Sequence, residues 1–367
     1  MKNTLGQSIS LTLFGESHGA AIGAVLDGLA PGVRVDEEYI AKMMDLRRPH
    51  GKISTARKEA DAVRIVSGVF NGYTTGTPIA LIIENGDTKS KDYSSLLSHP
   101  RPGHADYTAE CKYGGFQDYR GGGHFSGRLT APIVAAGAIV MAALREKGIK
   151  IGTHISRLHG IKDRAFSDIE SDIDALAERL FPALSADSEA EMIAVIESAA
   201  AAGDSVGGVL ETAIVGMPAG VGEPFFDSLE STLSHALFSV PAVKGVEFGA
   251  GFGLADMLGS EANDAFTLDG ERVITKTNNN GGINGGISNG MPIIIRTAVK
   301  PTPSIFKPQM TLDTLLGEER ELLIKGRHDP AIIHRARVVV DAVTALAVAD
   351  ALAMRFGTDY LRAESKL

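Results

Sequence analysis

The sequence predicts an α+β fold in which helices lie sandwiched between antiparallel β-sheets, within a single domain over residues 1–367. Two alanine-rich segments, residues 129–147 and 337–356, are apolar nearly all round, which is typical of helices buried on several sides. The predicted strands around them are punctuated by glycine, which favours antiparallel pairing. Residues 76–82 resemble residues 290–295, and each segment is followed by a polar arm, a basic histidine motif and one of these helices. This repeated layout indicates an internal duplication.

The N-terminal part is predicted to contain several strands and one short helix. Strands are expected over residues 8–13, 20–29, 63–70 and 78–84. The turn after the first strand presents His18 between glycine-rich neighbours, where it faces a ligand or simply solvent. Residues 36–44 predict a helix that proline and glycine terminate, so that Arg47 sits at the start of a loop.

A glycine-rich stretch, residues 101–128, precedes the first long helix. Its seven glycines disfavour regular structure, since each costs roughly 0.5–1 kcal/mol relative to alanine in a helix or strand. We therefore predict an ordered loop. The run Gly121-Gly122-Gly123 lets backbone N–H groups approach a ligand, and the loop feeds a helix N-terminus, which favours anions. A plain connection is the alternative, but two histidines and three arginines would serve little purpose in one.

The second half of the chain is predicted to alternate surface helices with strands. Residues 161–202 are acidic and alanine-rich, which indicates surface helices, and strands follow over residues 205–216 and from Val246. Asp227 is the predicted N-cap of a capping box that opens a helix. Residues 277–286 have no apolar face, so they suit backbone contact with a flat polar ligand, with a flexible surface loop as the alternative.

Composition excludes several classes of protein. A hydrophobic content of 44% supplies a core, and 22% charged residues is ordinary for a globular chain. The single cysteine, Cys111, rules out an internal disulfide, and the N-terminus shows no secretory signal, so a cytoplasmic location is expected. The longest apolar runs are too short or too interrupted by aspartate to predict a membrane span. A net charge of -9 argues against a nucleic-acid partner.

The cations are nevertheless clustered. Residues 42–64 carry seven lysines and arginines against three acids, and residues 325–337 carry four more with two histidines. Because salt screens charges beyond about 8 Å, a ligand inside a cleft responds to these local clusters more than to the distant acidic surplus. The expected partner is a small polyanion.

Eight motifs, taken together and in chain order, resemble the chorismate synthase family. They are residues 14–19, 47–49, 101–107, 119–123, 242–247, 281–288, 300–304 and 326–330. The resemblance covers nearly the whole chain and is weakest over residues 161–202. It implies a single-domain fold with helices between antiparallel sheets, and a homotetramer.

The resemblance also implies an activity. Such an enzyme is a lyase of the shikimate pathway of aromatic amino-acid biosynthesis, and it converts 5-enolpyruvylshikimate 3-phosphate to chorismate and phosphate by anti-1,4-elimination. The implied cofactor is reduced FMN, with NADPH as the indirect reductant. Nothing in the sequence resembles an added reductase domain, so an external flavin reductase is the expected partner. No metal is implied.

The resemblance assigns roles to particular residues. His18 would protonate the departing phosphate, His104 would hold a proton near the anionic reduced flavin, and Asp329 would help flavin N5 take the substrate proton. Arg47 and Lys52 would reach the substrate or a nicotinamide nucleotide. The implied flavin contacts are His124, Phe125, Ser126, Pro241, Ala242, Gly285, Lys300, Pro301, Thr302, Pro303, Ser304 and Arg327.

The sequence departs from the family pattern at two places. After Arg-Arg-Pro the family often has an arginine-glycine repeat, whereas this chain has His50-Gly51-Lys52, so the second basic contact is either Lys52 or Arg57. Histidine occupies position 124, where arginine is common, which leaves the role of His124 open.

Two other functions compete with the lyase. A phosphotransferase could use the glycine loops for ATP, but the chain has neither GxxxxGK[ST] nor a carboxylate cluster for Mg²⁺. An oligomeric scaffold that binds a polyanion is the non-enzymatic alternative.

Overall fold

Alternating apolar residues build the first β-sheet. In the strand Ile79–Glu84, the side chains of Ile79, Leu81 and Ile83 are buried while the residues between them are not, which is the period-two pattern of a sheet with one face in the core. The computed structural model describes residues 2–51, 53–55, 61–86, 98–324, 326 and 328–363. Its first seven strands are β1 (Thr4–Leu5), β2 (Ser10–Gly15), β3 (Ala21–Asp27), β4 (Val63–Ser67), β5 (Val69–Phe70), β6 (Tyr73–Thr74) and β7 (Ile79–Glu84). The sheet has the order β1-β2-β3-β7-β4, and every pairing is antiparallel.

The later strands are β8 (Lys150–Leu158), β9 (Ile161–Lys162), β10 (Gly208–Val215), β11 (Val243–Phe248), β12 (Phe266–Asp269), β13 (Arg272–Thr275), β14 (Ile283–Asn284), β15 (Ile287–Ser288), β16 (Ile293–Val299), β17 (Gln309–Asp313) and β18 (Glu318–Leu322). Five of them form the second large sheet, which has the order β11-β16-β10-β8-β9 and is also antiparallel throughout. The remaining strands pair in small hairpins, β5 with β6, β12 with β13, β14 with β15 and β17 with β18.

Two long helices separate the two large sheets. The helices are α1 (Glu37–Arg47), α2 (Asp106–Tyr113), α3 (Thr130–Glu146), α4 (Ile169–Leu176), α5 (Ala186–Ala201), α6 (Leu229–Phe238), α7 (Gly259–Ala262) and α8 (Ile333–Phe356). Helix α3 packs against β2, β3 and β7, helix α8 packs against β8 and β10, and the two helices contact each other. At their crossing a Cβ built on Gly137 would lie 2.4 Å from the Cβ of Ala342, so only glycine permits this approach. The predicted α+β class with antiparallel sheets is confirmed.

The apolar character of α3 is explained by burial. The segment Arg120–Glu146, which ends with this helix, has the length and composition of a membrane span, but 89% of its most apolar part is buried inside the protein. Its residues join a hydrophobic core that includes side chains of both large sheets. The segment therefore fits the core helix of a folded protein.

The two sheets share a strand order. In the first sheet β7 lies between β3 and β4, and in the second β16 lies between β10 and β11. Helix α1 connects β3 to β4 and helix α6 connects β10 to β11, while β7 precedes α3 and β16 precedes α8. The same sequence of elements thus occurs once on each side of the helical layer.

Three local predictions need correction. Residues 101–128 are not wholly a loop, because Asp106–Tyr113 forms α2. The glycines of the stretch lie outside this helix. Gly114 ends the helix in the left-handed region, with a φ of 61°. Helix α1 continues to Arg47, which is buried in its last turn instead of opening a loop. The N-cap of α6 is Ser228, whose hydroxyl accepts from the backbone N–H of Ser231 at 3.1 Å, and not Asp227.

Candidate functional site

The three consecutive glycines bring two histidines together. Gly121, Gly122 and Gly123 have φ values of 60°, 82° and 52°, which side chains other than glycine rarely adopt. A Cβ on Gly121 would lie 2.2 Å from Cε1 of His18, and one on Gly122 would lie 3.3 Å from Cε1 of His104. The two imidazoles therefore contact neighbouring peptide units of one backbone turn.

The imidazole of His104 is held by a carboxylate. Its Nδ1 lies 2.7 Å from Oδ1 of Asp106, and Arg101 donates to both oxygens of the same carboxylate at 2.7 Å. Burial opposes ionisation of Asp106, but the hydrogen bonds from Arg101 and His104 outweigh it and hold the pKa of this carboxyl well below its ordinary value. Since the charged carboxylate accepts the Nδ1 proton, Nε2 is the nitrogen of His104 that can exchange a proton with a ligand.

The segment Lys300–Ser304 packs directly beside these histidine-bearing loops. The ammonium group of Lys300 donates to the carbonyl of Gly103, and the backbone N–H of Lys300 donates to the carbonyl of Ala242 at 3.0 Å. Ala242 has a φ of 76°, which is unusual for a residue with a Cβ. The Thr302 hydroxyl is buried without a hydrogen-bond partner among the described residues. Two of the predicted flavin-binding segments, residues 241–242 and 300–304, therefore contact each other, and the second also contacts the loop before α2.

A cavity of about 260 Å³ is lined in part by Ser126, Gly127 and Arg128, at the end of the glycine-rich stretch. We call it the arginine cavity. Among the described residues, its charged lining consists of four arginines and two aspartates, Arg47, Arg48, Arg128, Arg335, Asp61 and Asp329. Its other lining residues include Thr55, Ser126, Thr130 and Pro241. The excess of arginine over carboxylate makes it suited to an anionic ligand.

Two of these arginines are buried against one aspartate. Arg47 and Arg128 each donate to Asp61, Arg47 at 3.1 Å, and the Asp61 side chain is only 2% exposed. Arg47 also donates to the Thr130 hydroxyl and to two carbonyls, and Arg128 donates to Asn85 and to the carbonyl of Glu84. This network fixes the end of α1, the end of β7 and the start of α3 around the cavity.

Asp329 also lines the arginine cavity. Its Oδ1 accepts from the backbone N–H of Thr55 and its Oδ2 accepts from Nη1 of Arg335, both at 2.8 Å. The same arginine donates from Nε to the carbonyl of Arg47 at 2.8 Å. His328, which precedes Asp329 in the chain, packs on the ring of Phe306, and burial lowers the pKa of the His328 imidazole.

The three residues at positions 124–126, which were predicted to contact the flavin, lie in different surroundings. His124 donates from Nδ1 to the carbonyl of Gly15 at 2.8 Å, which ties the loop to the end of β2. Phe125 lines a smaller cavity of about 50 Å³ together with His104, whereas Ser126 lines the arginine cavity. The segment therefore runs between the two cavities, and neither His18 nor His104 lines the larger one.

The other predicted site residues fall outside this region or outside the described residues. Gly285 lies in the β14–β15 turn, whose Gly286 contacts the carbonyl of Glu223 and accepts from the N–H of Leu229 at the start of α6. Lys52, Arg57 and Arg327 are not among the described residues.

Sequence reasoning did not single out Asp61 or assign a role to Arg335. Arg335 belongs to the cationic cluster at residues 325–337, and so does Arg337, two residues later. Arg337 is turned away from the arginine cavity, and its Nη2 donates to the carbonyl of Arg179. No spacing in the sequence indicates which of the two faces the cavity. Asp61 follows a basic run and gives no signal of its own.

Comparison with known proteins identifies relatives over almost the whole chain. The family model described as chorismate synthase matches residues 9–353. A chorismate synthase of Pyrococcus abyssi is 47% identical over 354 residues, covering 95% of this chain and 97% of its own. A chorismate synthase of Dehalococcoides mccartyi is 46% identical and covers 97% and 98%. A chorismate synthase crystal structure superimposes with a TM-score of 0.74 at 28% identity, covering 96% and 94%.

Proposed function

Because the chain belongs to the chorismate synthase family, a lyase family that converts 5-enolpyruvylshikimate 3-phosphate to chorismate in the shikimate pathway, we propose that its arginine cavity binds this substrate beside a reduced flavin. The observation that carries the proposal is the charge of the cavity, in which the described part of the chain places four arginines against two carboxylates around about 260 Å³. The substrate has two carboxylates and one phosphate, and guanidinium groups bind both kinds of anion through paired hydrogen bonds.

The proposed cofactor is reduced FMN, which when bound would supply electron density for an elimination that involves no net redox change. The buried, unpartnered hydroxyl of Thr302 fits a polar ligand beside Lys300–Ser304, and the positive φ of Ala242 is the kind of backbone strain that persists at binding sites. We propose that these residues, with Phe125, Ser126 and Pro241, form part of the flavin site. The contacts predicted for His124, Gly285 and Arg327 stay predictions.

Three residues are proposed to move protons. His18 protonates the departing phosphate, His104 keeps a proton near the flavin through Nε2, and Asp329 helps to receive the proton taken from the substrate ring. Imidazole suits the first two roles because its ordinary pKa of about 6.5 allows proton transfer in either direction near neutrality. His18 contacts Gly121 and His104 contacts the neighbouring Gly122, which supports a common site for the two imidazoles. Because neither imidazole lines the arginine cavity, the phosphate of the bound substrate would extend past Ser126 toward this glycine turn.

The oligomeric state, the domain organisation, the cellular location and the source of reduced flavin are further proposals. Exposed phenylalanines, with Phe226 94%, Phe225 86% and Phe252 84% exposed, support self-association, here into a homotetramer. The matching strand orders of the two sheets support a single domain over residues 1–367 that arose by internal duplication. A cytoplasmic location, NADPH as the indirect reductant and an external flavin reductase fit a biosynthetic enzyme of this family.

The decisive experiment is anaerobic mixing of the protein with 5-enolpyruvylshikimate 3-phosphate and photoreduced FMN. We expect release of phosphate and formation of chorismate with reduced flavin, and neither product with oxidised flavin. Turnover that depends on ATP and proceeds without flavin would instead establish a phosphotransferase.

A further inference from the structure

Arg335 holds a distinctive position in the arginine cavity. It lies in the first turn of α8, and two of its nitrogens are anchored, Nε to the carbonyl of Arg47 and Nη1 to Asp329. Its side chain is 17% exposed, compared with 8% for Arg47 and 4% for Arg128. It is therefore more accessible than the two arginines that are buried against Asp61.

The second terminal nitrogen of Arg335 is not used by the protein. Among the described residues, no hydrogen bond or ion pair involves its Nη2, although the residue lines the cavity. A guanidinium group with two nitrogens fixed has already lost most of its rotational freedom, so an oxyanion that binds the third nitrogen incurs little further entropic cost. The N-terminus of α8 adds a positive partial charge to the same wall of the cavity.

We propose that Arg335 is a substrate-binding residue that donates from Nη2 to an oxyanion of the substrate, while Asp329 and the carbonyl of Arg47 orient its guanidinium group. This inference rests on the proposed function, because it assumes that the arginine cavity is the substrate site. It also gives the ion pair between Arg335 and Asp329 a purpose. The carboxylate turns the guanidinium plane toward the ligand and neutralises only part of the cationic charge of the cavity.

The test is a comparison of steady-state kinetics in Arg335→Gln, Arg335→Lys and the wild-type enzyme, assayed with reduced FMN. Loss of a charge-assisted hydrogen bond predicts a KM for the substrate about 10- to 100-fold higher in Arg335→Gln, with a much smaller change in kcat. Arg335→Lys keeps the charge but loses the planar fork, so its KM should be intermediate. Arg355→Gln, an exposed arginine at the other end of α8, should leave KM unchanged.

Two results would overturn the inference. One is an unchanged KM in Arg335→Gln; the other is a fall in kcat at constant KM, which would mean that Arg335 acts only by holding Asp329. If Arg335→Gln does not fold, the same criteria apply to Arg335→Lys.

Substrate binding without flavin provides an independent measurement. We expect 5-enolpyruvylshikimate 3-phosphate to raise the Tm of the wild-type protein and to raise that of Arg335→Gln much less. An equal shift in both proteins contradicts the inference. Failure of the wild-type enzyme to turn over the substrate would refute the proposed function instead, so the two failures are distinguishable.

Discussion

The Nδ1 atom of His104 lies 2.7 Å from Oδ1 of Asp106, and that carboxylate is also bound by Arg101. A carboxylate in this position fixes both the tautomer and the orientation of an imidazole, as it does in other sites where histidine transfers protons. Burial opposes the ionisation of Asp106, but the hydrogen bonds from Arg101 and His104 hold the pKa of this carboxyl well below its ordinary value, so Asp106 is ionised near neutral pH. The Nε2 atom is consequently the nitrogen presented to a ligand.

Asp106→Asn should lower kcat while leaving the fold intact. The amide has the shape of the carboxylate, but it cannot stabilise a charged imidazole and it can favour the wrong tautomer. We expect a decrease in kcat of about 10-fold or more, and of about 10² to 10⁴ in His104→Ala, from which the imidazole itself is missing. Steady-state rates of phosphate release at saturating substrate measure both changes in kcat. Asp172→Asn is the matched control, because it disrupts the ion pair that Asp172 of α4 forms with Arg164. Equal rates in all three variants would contradict the role assigned to Asp106 and His104.

Gly121→Ala should abolish most of the activity by displacing His18. The new Cβ would lie 2.2 Å from Cε1 of the imidazole, so the ring must move. Gly148→Ala is the control, because Gly148 has a similar positive φ of 76°, but no described residue other than its chain neighbours has an atom within 4 Å of the new Cβ. Both variants should lose about 1 kcal/mol of stability from backbone strain. Only Gly121→Ala should approach the rate of His18→Ala, expected to be about 10² to 10⁴ slower than wild type; equal rates for the two glycine variants would argue against a role for His18.

His154 should stabilise the second sheet most strongly in mildly acidic solution. This fully buried imidazole contacts Asp163 through Nδ1 at 3.0 Å and Glu211 through Nε2 at 3.3 Å. Burial opposes its protonation, but the hydrogen bonds to the two carboxylates raise the pKa of His154 above its ordinary value. Asp163 has its pKa lowered, because its hydrogen bonds to His154, Ser188 and Leu184 outweigh burial.

The sign of the pH dependence follows from these directions. The contribution of charged His154 is complete below its unfolded pKa of about 6.5 and is lost as the pH rises through the higher folded value. The contribution of Asp163 is complete above its unfolded pKa of about 3.9 and is lost as the pH falls through the lower folded value. The free energy of unfolding of His154→Gln should thus fall short of wild type by about 3 kcal/mol or more, with the largest deficit between roughly pH 4 and 6.5.

Urea unfolding at mildly acidic and at alkaline pH measures this difference. The exposed His235→Gln serves as the control and should show no such pH-dependent deficit. A constant deficit for His154→Gln across the whole range would mean that the imidazole is neutral in the folded protein.

Local patterns were sufficient to predict the main elements of the fold. The all-round apolar character of α3 and α8 predicted buried helices, and both are buried between the sheets. The prediction for residues 101–128 failed in part because the cost of glycine was averaged over the whole stretch, while the residues that form α2 contain none. Helix propensity acts over a few residues, so a long window concealed it.

The sequence alone determined which chemical groups this protein possesses: glycine turns, histidines beside them and clustered cations for a polyanion. Only the tertiary structure decided which groups meet. It paired Asp61 with Arg47 and Arg128, turned Arg335 toward Asp329 and Arg337 away from it, and placed His18 and His104 on neighbouring glycines. The physical reason is that the periodicity of apolar residues is a property of residues close together in the chain, so the sequence reveals it. The partner of a charged group depends instead on distance in space, which sheet order and helix packing set.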